Sequence, residues 1–270
     1  MSSEREEPLL TDEQILEFEQ QIKDEEAQKI PLVCQEEPIS KLVDEFKENE
    51  PFLRKIHKGR QNLSHTHDKI RKCRGDGNCF FRAFAFAWYE SALSQNQATY
   101  QANLTKLKET EELLVSSGFQ KLAFEDFYEV ALQQFEQLDQ NDPDMLLVQF
   151  QSDEISNAIV MHFRFIASAY LKLHAAEYEP FLIDEMISID EFCSMHVEAF
   201  GKESDHLQII ALSKALQVPI HVVYLDGGLD DQAAIHEFWP TEQDEQEKVK
   251  KPIKLIYRPG HYDILYNQQK

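Results

Sequence analysis

Basic residues are in short supply. Lysine and arginine number 27 against 49 aspartates and glutamates, a formal charge of −22. So acidic a surface repels phosphate backbones and anionic headgroups, which excludes nucleic acid and membrane as expected partners and favours basic proteins. Glycine (8) and proline (10) are also scarce, so collagen-like and linker-like classes are excluded. The four cysteines, at 34, 73, 79 and 193, show no paired spacing. That argues against a disulfide framework and for reduced thiols in the cytosol or nucleus. No apolar run approaches the ~20 residues of a membrane span. The densest, FFRAFAFAWY (80–89), contains Arg82, and MSSEREEPLLTDEQ lacks the basic and apolar regions of a signal peptide. His65 and His67 form an H-x-H pair with no cysteine or carboxylate cluster beside it, so neither a metal nor another cofactor is expected.

What is present is an ordinary globular composition, 42% apolar and 28% charged over 270 residues, large enough to build a core unaided. Charge is uneven: residues 1–50 carry net −11 and residues 51–82 net +7. The first ten residues read as a disordered acidic tail, 11–50 as a helical extension and 51–270 as the main domain. Within the extension, Thr11 and Gln14 form a capping box before Ile15, Phe18 and Ile22 at helical spacing, with a stop at Pro31. That apolar stripe either packs on the body or meets a partner.

Helices are expected at 79–93, 99–117, 124–138, 154–173, 190–200 and 205–217. The first is apolar nearly all round and therefore central. Gly118 suits a left-handed cap. Strand signals come late, at 219–225, 252–258 and 261–266, with a Pro259-Gly260 turn between the last two. Many helices followed by a small late sheet is an α+β pattern.

Two stretches carry chemistry. In RGDGNCFFRAF (74–84) a glycine turn delivers Cys79 to the start of an apolar helix, where unpaired N–H groups stabilise thiolate and can bind an oxyanion. The neighbouring Lys69, Arg71, Lys72 and Arg74 push the potential the same way. Read alone, Cys79 is equally compatible with an inert buried thiol. In YRPGHYDILY (257–266) residues two apart share a strand face, so Asp263 can accept from one imidazole nitrogen of His261 and leave the other for a thiol. Tyr262 then points into the core. H-x-D gains force only if folding brings it to Cys79. A rival pair, Asp205-His206, is set aside because adjacent residues at a helix start diverge and Ser204 or Asp205 is better read as an N-cap. His206 and Ile210 share one helix face, for packing or for a partner.

Together these stretches resemble the otubain group of the ovarian-tumour family of deubiquitinating cysteine proteases. The D-G-x-C motif stands as Asp76-Gly77-Asn78-Cys79 and the late histidine motif as Pro259-Gly260-His261-Tyr262-Asp263, with KESDHLQIIALSKAL (202–216) also similar. The resemblance implies a papain-like fold with a late antiparallel sheet and an N-terminal helical arm. By it Cys79 is the nucleophile, His261 the general base and then acid, and Asp263 the orienter. Asp76 is grouped with these catalytic residues, and the loop around it, with Gly77 and Asn78, shapes the oxyanion hole. It further implies isopeptidase action on ubiquitin joined to lysine, a preference for lysine-48-linked chains, and binding to ubiquitin-conjugating enzymes. Ile15, Phe18, Ile22, His206 and Ile210 are candidate ubiquitin contacts, and a monomer is expected. Two alternatives stay open: a regulator that binds conjugating enzymes without turnover, and a protease for another ubiquitin-like modifier.

Overall fold

Between Cys79 and Ser94 large apolar side chains recur on every face, so a helix formed there has no side to give to water. In the computed structural model it runs through the middle of the molecule, with Phe80, Phe81, Phe84, Phe86, Trp88 and Tyr89 all buried. The structure describes residues 11, 25, 27–58, 62–94, 97–138, 142, 144–228 and 230–268. Ile15, Phe18 and Ile22 therefore lie outside the described residues.

In chain order the main elements are β1 (Val33–Pro38), α1 (Lys41–Glu45), β2 (His67–Cys73), α2 (Cys79–Ser94), α3 (Gln97–Ser116), α4 (Lys121–Glu136), α5 (Asp144–Gln151), α6 (Asp153–Leu173), α7 (His206–Leu216), β3 (Ile220–Tyr224), β4 (Ala234–Phe238), β5 (Ile253–Arg258) and β6 (His261–Asn267). The α+β class holds. Helix α2 packs between α6, through Phe84 and Trp88 against Phe163, and β6, through Phe80 against Tyr262. Gly118 adopts φ +97°, the left-handed conformation expected after α3.

The sheet differs from the small, late, antiparallel one expected. It has six strands in the order β1-β2-β6-β5-β3-β4, and β3 pairs parallel with β5. Two of the strands come from the first third of the chain. β2, HDKIRKC, escapes notice because lysine and arginine dominate it, yet those cations are paired by carboxylates that the sheet brings alongside. Lys69 meets Glu36 at 2.7 Å, Arg71 meets Glu36 at 3.3 Å, and Lys72 meets Glu37 at 3.0 Å. Between them Ile70 is fully buried in a small cluster with Ile39, Leu42, Ile56 and Leu265. Residues 33–50, grouped by sequence with the N-terminal extension, thus supply the edge strand and α1 to the body.

The helix expected over 190–200 is also shorter. A turn at Ile189–Phe192 widens into one π-turn over Cys193–Val197, where Glu198 N–H bonds back to the Cys193 carbonyl at 2.8 Å. It stops where the buried Arg164 takes the Val197 carbonyl at 2.9 Å.

Candidate active site

Strand β6 lies beside β2, and β2 runs directly into the turn that starts α2. That adjacency brings together residues far apart in sequence. His261 and Asp263 share a face of β6, as the two-residue period requires. His261 Nε2 lies 2.9 Å from Asp263 Oδ1, and the ring stands close enough to Cys79 to be coupled to it electrostatically. With Nε2 engaged by the carboxylate, Nδ1 is the nitrogen left for the thiol. Gly75 crosses close to it, since a side-chain carbon there would sit 3.2 Å from Nδ1.

The carboxylate of Asp263 is completely buried, and its Oδ1 also accepts the Cys73 N–H at 2.9 Å. Burial alone would favour its neutral form. The hydrogen bond from His261 and the charges of Arg258 and His261 reverse this and hold the carboxyl below its usual range. Burial would likewise lower the His261 pKa. Its bond to Asp263, and the interaction with Asp263 and Cys79, push it up to about 10 instead. The sign is that of a raised base. Its contribution to stability is complete below the unfolded value near 6.5 and fades as pH rises toward 10. We expect the His261 ring signals of wild-type protein to show no titration between pH 6 and 8 by NMR. In Asp263→Asn the pKa should fall by at least about one unit, because the charge that raises it is gone. An unchanged value would show that the carboxylate does not control the imidazole.

The Asp76–Asn78 turn is fixed from two directions. Asp76 Oδ1 accepts the Asn78 N–H at 2.9 Å, and Oδ2 pairs with the buried Arg82 at 2.6 Å. Asp76 therefore shapes the loop and stands outside the Cys79–His261–Asp263 line. The Asn78 amide is engaged inside the loop, which leaves the first-turn amide of Cys79 as the natural oxyanion donor. Asn78 Oδ1 accepts from Arg164 at 2.8 and 3.2 Å and from Gly201 N–H at 2.9 Å. Gly77 adopts φ +73°, and any side-chain carbon there would collide with the Gly201 carbonyl. The basic run at 69–74 contributes less field at Cys79 than the sequence suggests, because its members are tied to Glu36, Glu37, Glu45, Glu90 and Asp153.

Cys79, only 3% exposed, lines a cavity of about 330 Å³ with Glu203, Asp205, His206, Tyr224, Tyr257 and Tyr262. His206 also lines an adjoining cavity of about 390 Å³ with Ile210, Phe181 and Phe192. The Asp205-His206 pair does not diverge as expected. Asp205 caps α7, and its Oδ1 accepts both the N–H and the Nδ1 of His206 at 2.7 Å. Both residues line the Cys79 cavity, but the imidazole coupled to Cys79 and to a buried carboxylate is that of His261. A roomier cavity of about 900 Å³ between α2, α3 and the β5–β6 pair contains none of the three residues.

Sequence reasoning missed Arg164, Arg258 and Gly201. The available signal for Arg164 was a lone cation in the apolar run of α6, a residue type that is buried only when well partnered.

The model of the Peptidase C65 Otubain family matches residues 25–267. The OVARIAN TUMOR DOMAIN-containing deubiquitinating enzyme 1 of Arabidopsis thaliana is 37% identical over 257 residues, 90% of this chain and 83% of that protein. Human ubiquitin thioesterase OTUB1 is 36% identical, covering 96% of this chain and 91% of its own. An h/ceOTUB1 structure with ubiquitin aldehyde and UBC13~Ub superposes with a TM-score of 0.82 at 30% identity, over 96% of this chain and 99% of that one. A second, with UBCH5B~Ub, gives the same TM-score at 31% identity. Matched along nearly its whole length in sequence and in fold, the chain belongs to the otubain family, Peptidase C65.

Proposed function

We propose that this protein is a thiol-dependent deubiquitinase that hydrolyses the bond between the C-terminal glycine of ubiquitin and a lysine, with lysine-48-linked chains preferred. The observation that carries the reading is the hydrogen-bonded Asp263–His261 pair coupled to Cys79, which stands at a helix N-terminus and lines a cavity. Cys79 sulfur attacks the glycine carbonyl, and the carbonyl oxygen takes the electron pair while the Cys79 amide holds it. His261 gives its proton to the departing lysine amine as the C–N bond breaks. The resulting thioester is hydrolysed by water that the now neutral imidazole deprotonates.

Glu203 and Asp205 line the approach and suit the basic, glycine-rich tail of ubiquitin. Beside the cavity that holds His206 and Ile210, Phe181, Ile183 and Met186 expose apolar surface for the body of the substrate. The apolar residues Ile15, Phe18 and Ile22, spaced in the sequence as one face of a helix would be, would hold a second ubiquitin on the leaving side. Relatives solved with UBC13~Ub and UBCH5B~Ub support a further role, the binding of ubiquitin-conjugating enzymes.

The test is a gel assay of purified protein on lysine-48-linked and lysine-63-linked diubiquitin, alone and after treatment with ubiquitin aldehyde. The expected result is cleavage of the first linkage only, blocked by the aldehyde. A chain lacking residues 1–24, which spares β1, should lose most chain cleavage yet react with a single-ubiquitin suicide probe. Cleavage of neither linkage, with binding to a conjugating enzyme intact, would put the non-catalytic regulator in its place.

A further inference from the structure

Both oxygens of Asp263 are engaged. Oδ1 meets the Cys73 N–H and His261, and Oδ2 is ion-paired with Nη2 of Arg258. Arg258 is the cross-strand neighbour of His261 in the β5–β6 pair, one residue before the Pro259-Gly260 turn. Its Nη1 reaches Oε2 of Glu45, at the end of α1, at 3.0 Å. The other oxygen of Glu45 is ion-paired with Lys72 of β2. Charges therefore alternate from Lys72 through Glu45, Arg258 and Asp263 to His261.

Resting on the cysteine-hydrolase reading of this site, we infer that Arg258, anchored by Glu45, is a positioning residue that fixes the Asp263 carboxylate so that Oδ1 faces His261. A carboxylate turns easily about its terminal torsion. The guanidinium on Oδ2 removes that freedom, and its planar fork can hold Glu45 with the other amine at the same time. The anchor comes from α1, so the segment before β2 helps set the geometry of a pair contributed by β6.

Positioning and plain charge predict opposite signs. A nearby cation disfavours a second cation, so if Arg258 acted by charge alone its removal would raise the His261 pKa. If it positions Asp263, its removal lets the carboxylate turn away, and the His261 pKa falls. The other groups facing the pair are Cys79 and Arg82 from α2, Cys73 from β2, Cys34 from β1, and Glu203, which approaches Gly260. Burial raises Cys34 and Cys73, so neither adds charge at neutral pH.

The experiment compares Arg258→Met, Arg258→Lys and wild type by NMR titration of His261 and by kinetics on a fluorogenic ubiquitin C-terminal amide. Arg258→Met should lower the His261 pKa by at least about one unit and kcat on the order of 100-fold, as misplacement of a reacting group does. KM should stay within about threefold, because Arg258 lies behind the substrate path. Arg258→Lys keeps the charge without the fork and should fall between. A His261 pKa unchanged or raised, with activity lost only in proportion to folded protein, overturns the inference. Glu45→Gln, a milder change, should shift both readouts in the same direction by less, and it decides the matter if Arg258→Met fails to fold. The titration needs no substrate, so a wild type inactive on ubiquitin would count against the proposed function alone.

Discussion

Cys79→Ser should leave the fold in place and reduce hydrolysis of ubiquitin conjugates on the order of 10⁴-fold or more, the scale seen when a nucleophile acting within a triad is lost. The reason is more than the weaker nucleophilicity of oxygen. In the wild type Asp263 and Cys79 together push the His261 pKa up to about 10, and in the serine variant Asp263 remains to hold the proton on the ring. A protonated ring has no lone pair at Nδ1 with which to activate a hydroxyl, so serine inherits a site arranged for a different partner. Thermal unfolding should move by only a few degrees, because the substitution removes little volume from a residue at the edge of the core. Binding of ubiquitin should persist, since the cavity walls are untouched. The measurement is single-turnover cleavage of lysine-48-linked diubiquitin beside a binding titration. Activity within tenfold of wild type would remove Cys79 from the role proposed for it.

Arg164→Leu is the substitution with the largest expected effect on stability. The guanidinium is fully buried beneath Phe81, its carbon 4.5 Å from the ring centre. It donates to the carbonyls of Gly77 at 2.9 Å, Val197 at 2.9 Å and Lys202 at 2.6 Å, as well as to Asn78 Oδ1. Burial draws its pKa down to about 10 against the opposing charge of Asp76, so the group stays positive at neutral pH. Leucine fills part of the volume but leaves three carbonyls without their donor, at a penalty of about 1–3 kcal/mol for each that water cannot reach. Partial relaxation makes about 3–5 kcal/mol the expected loss, the range for breaking a buried charged network. For a chain of this size that is a fall in Tm of roughly 10 °C. Catalysis should suffer in the molecules that remain folded, because the 75–78 turn and the 197–202 segment are joined through this side chain. Arg164→Lys should not rescue, since one ammonium has three donors and no planar fork. Calorimetry with activity per folded molecule is the check, and a loss under 1 kcal/mol would mean that the loop is held by other means.

The parts of this architecture legible in sequence are those governed by short-range periodicity. A helix apolar on all faces has to be central, as α2 is. A two-residue period sets His261 beside Asp263, and a glycine after α3 takes positive φ. What escaped depends on partners distant along the chain. β2 looks like a basic loop until β1 and β6 flank it. β4, exposed along most of its length at the sheet edge, carries almost no burial pattern of its own. The parallel pairing of β3 with β5 follows from the crossover between them, which no local spacing records. The site divides the same way. Cys79, His261 and Asp263 stand in recognisable local settings. Arg164 and Arg258 act through groups more than 80 residues away for the first and on another strand for the second.

The placement of β6 between β2 and β5 has a consequence for the newly made chain. The thiol of Cys79 leaves the ribosome about 180 residues before Asp263. At about 5–20 residues per second, that is roughly 10–40 s during which the polypeptide holds a cysteine without its imidazole. Because β6 lies between β2 and β5, its synthesis closes the described sheet and delivers His261 and Asp263 in the same event. Chains that stop before the 259–260 turn lack the base proposed for Cys79 and should be inert.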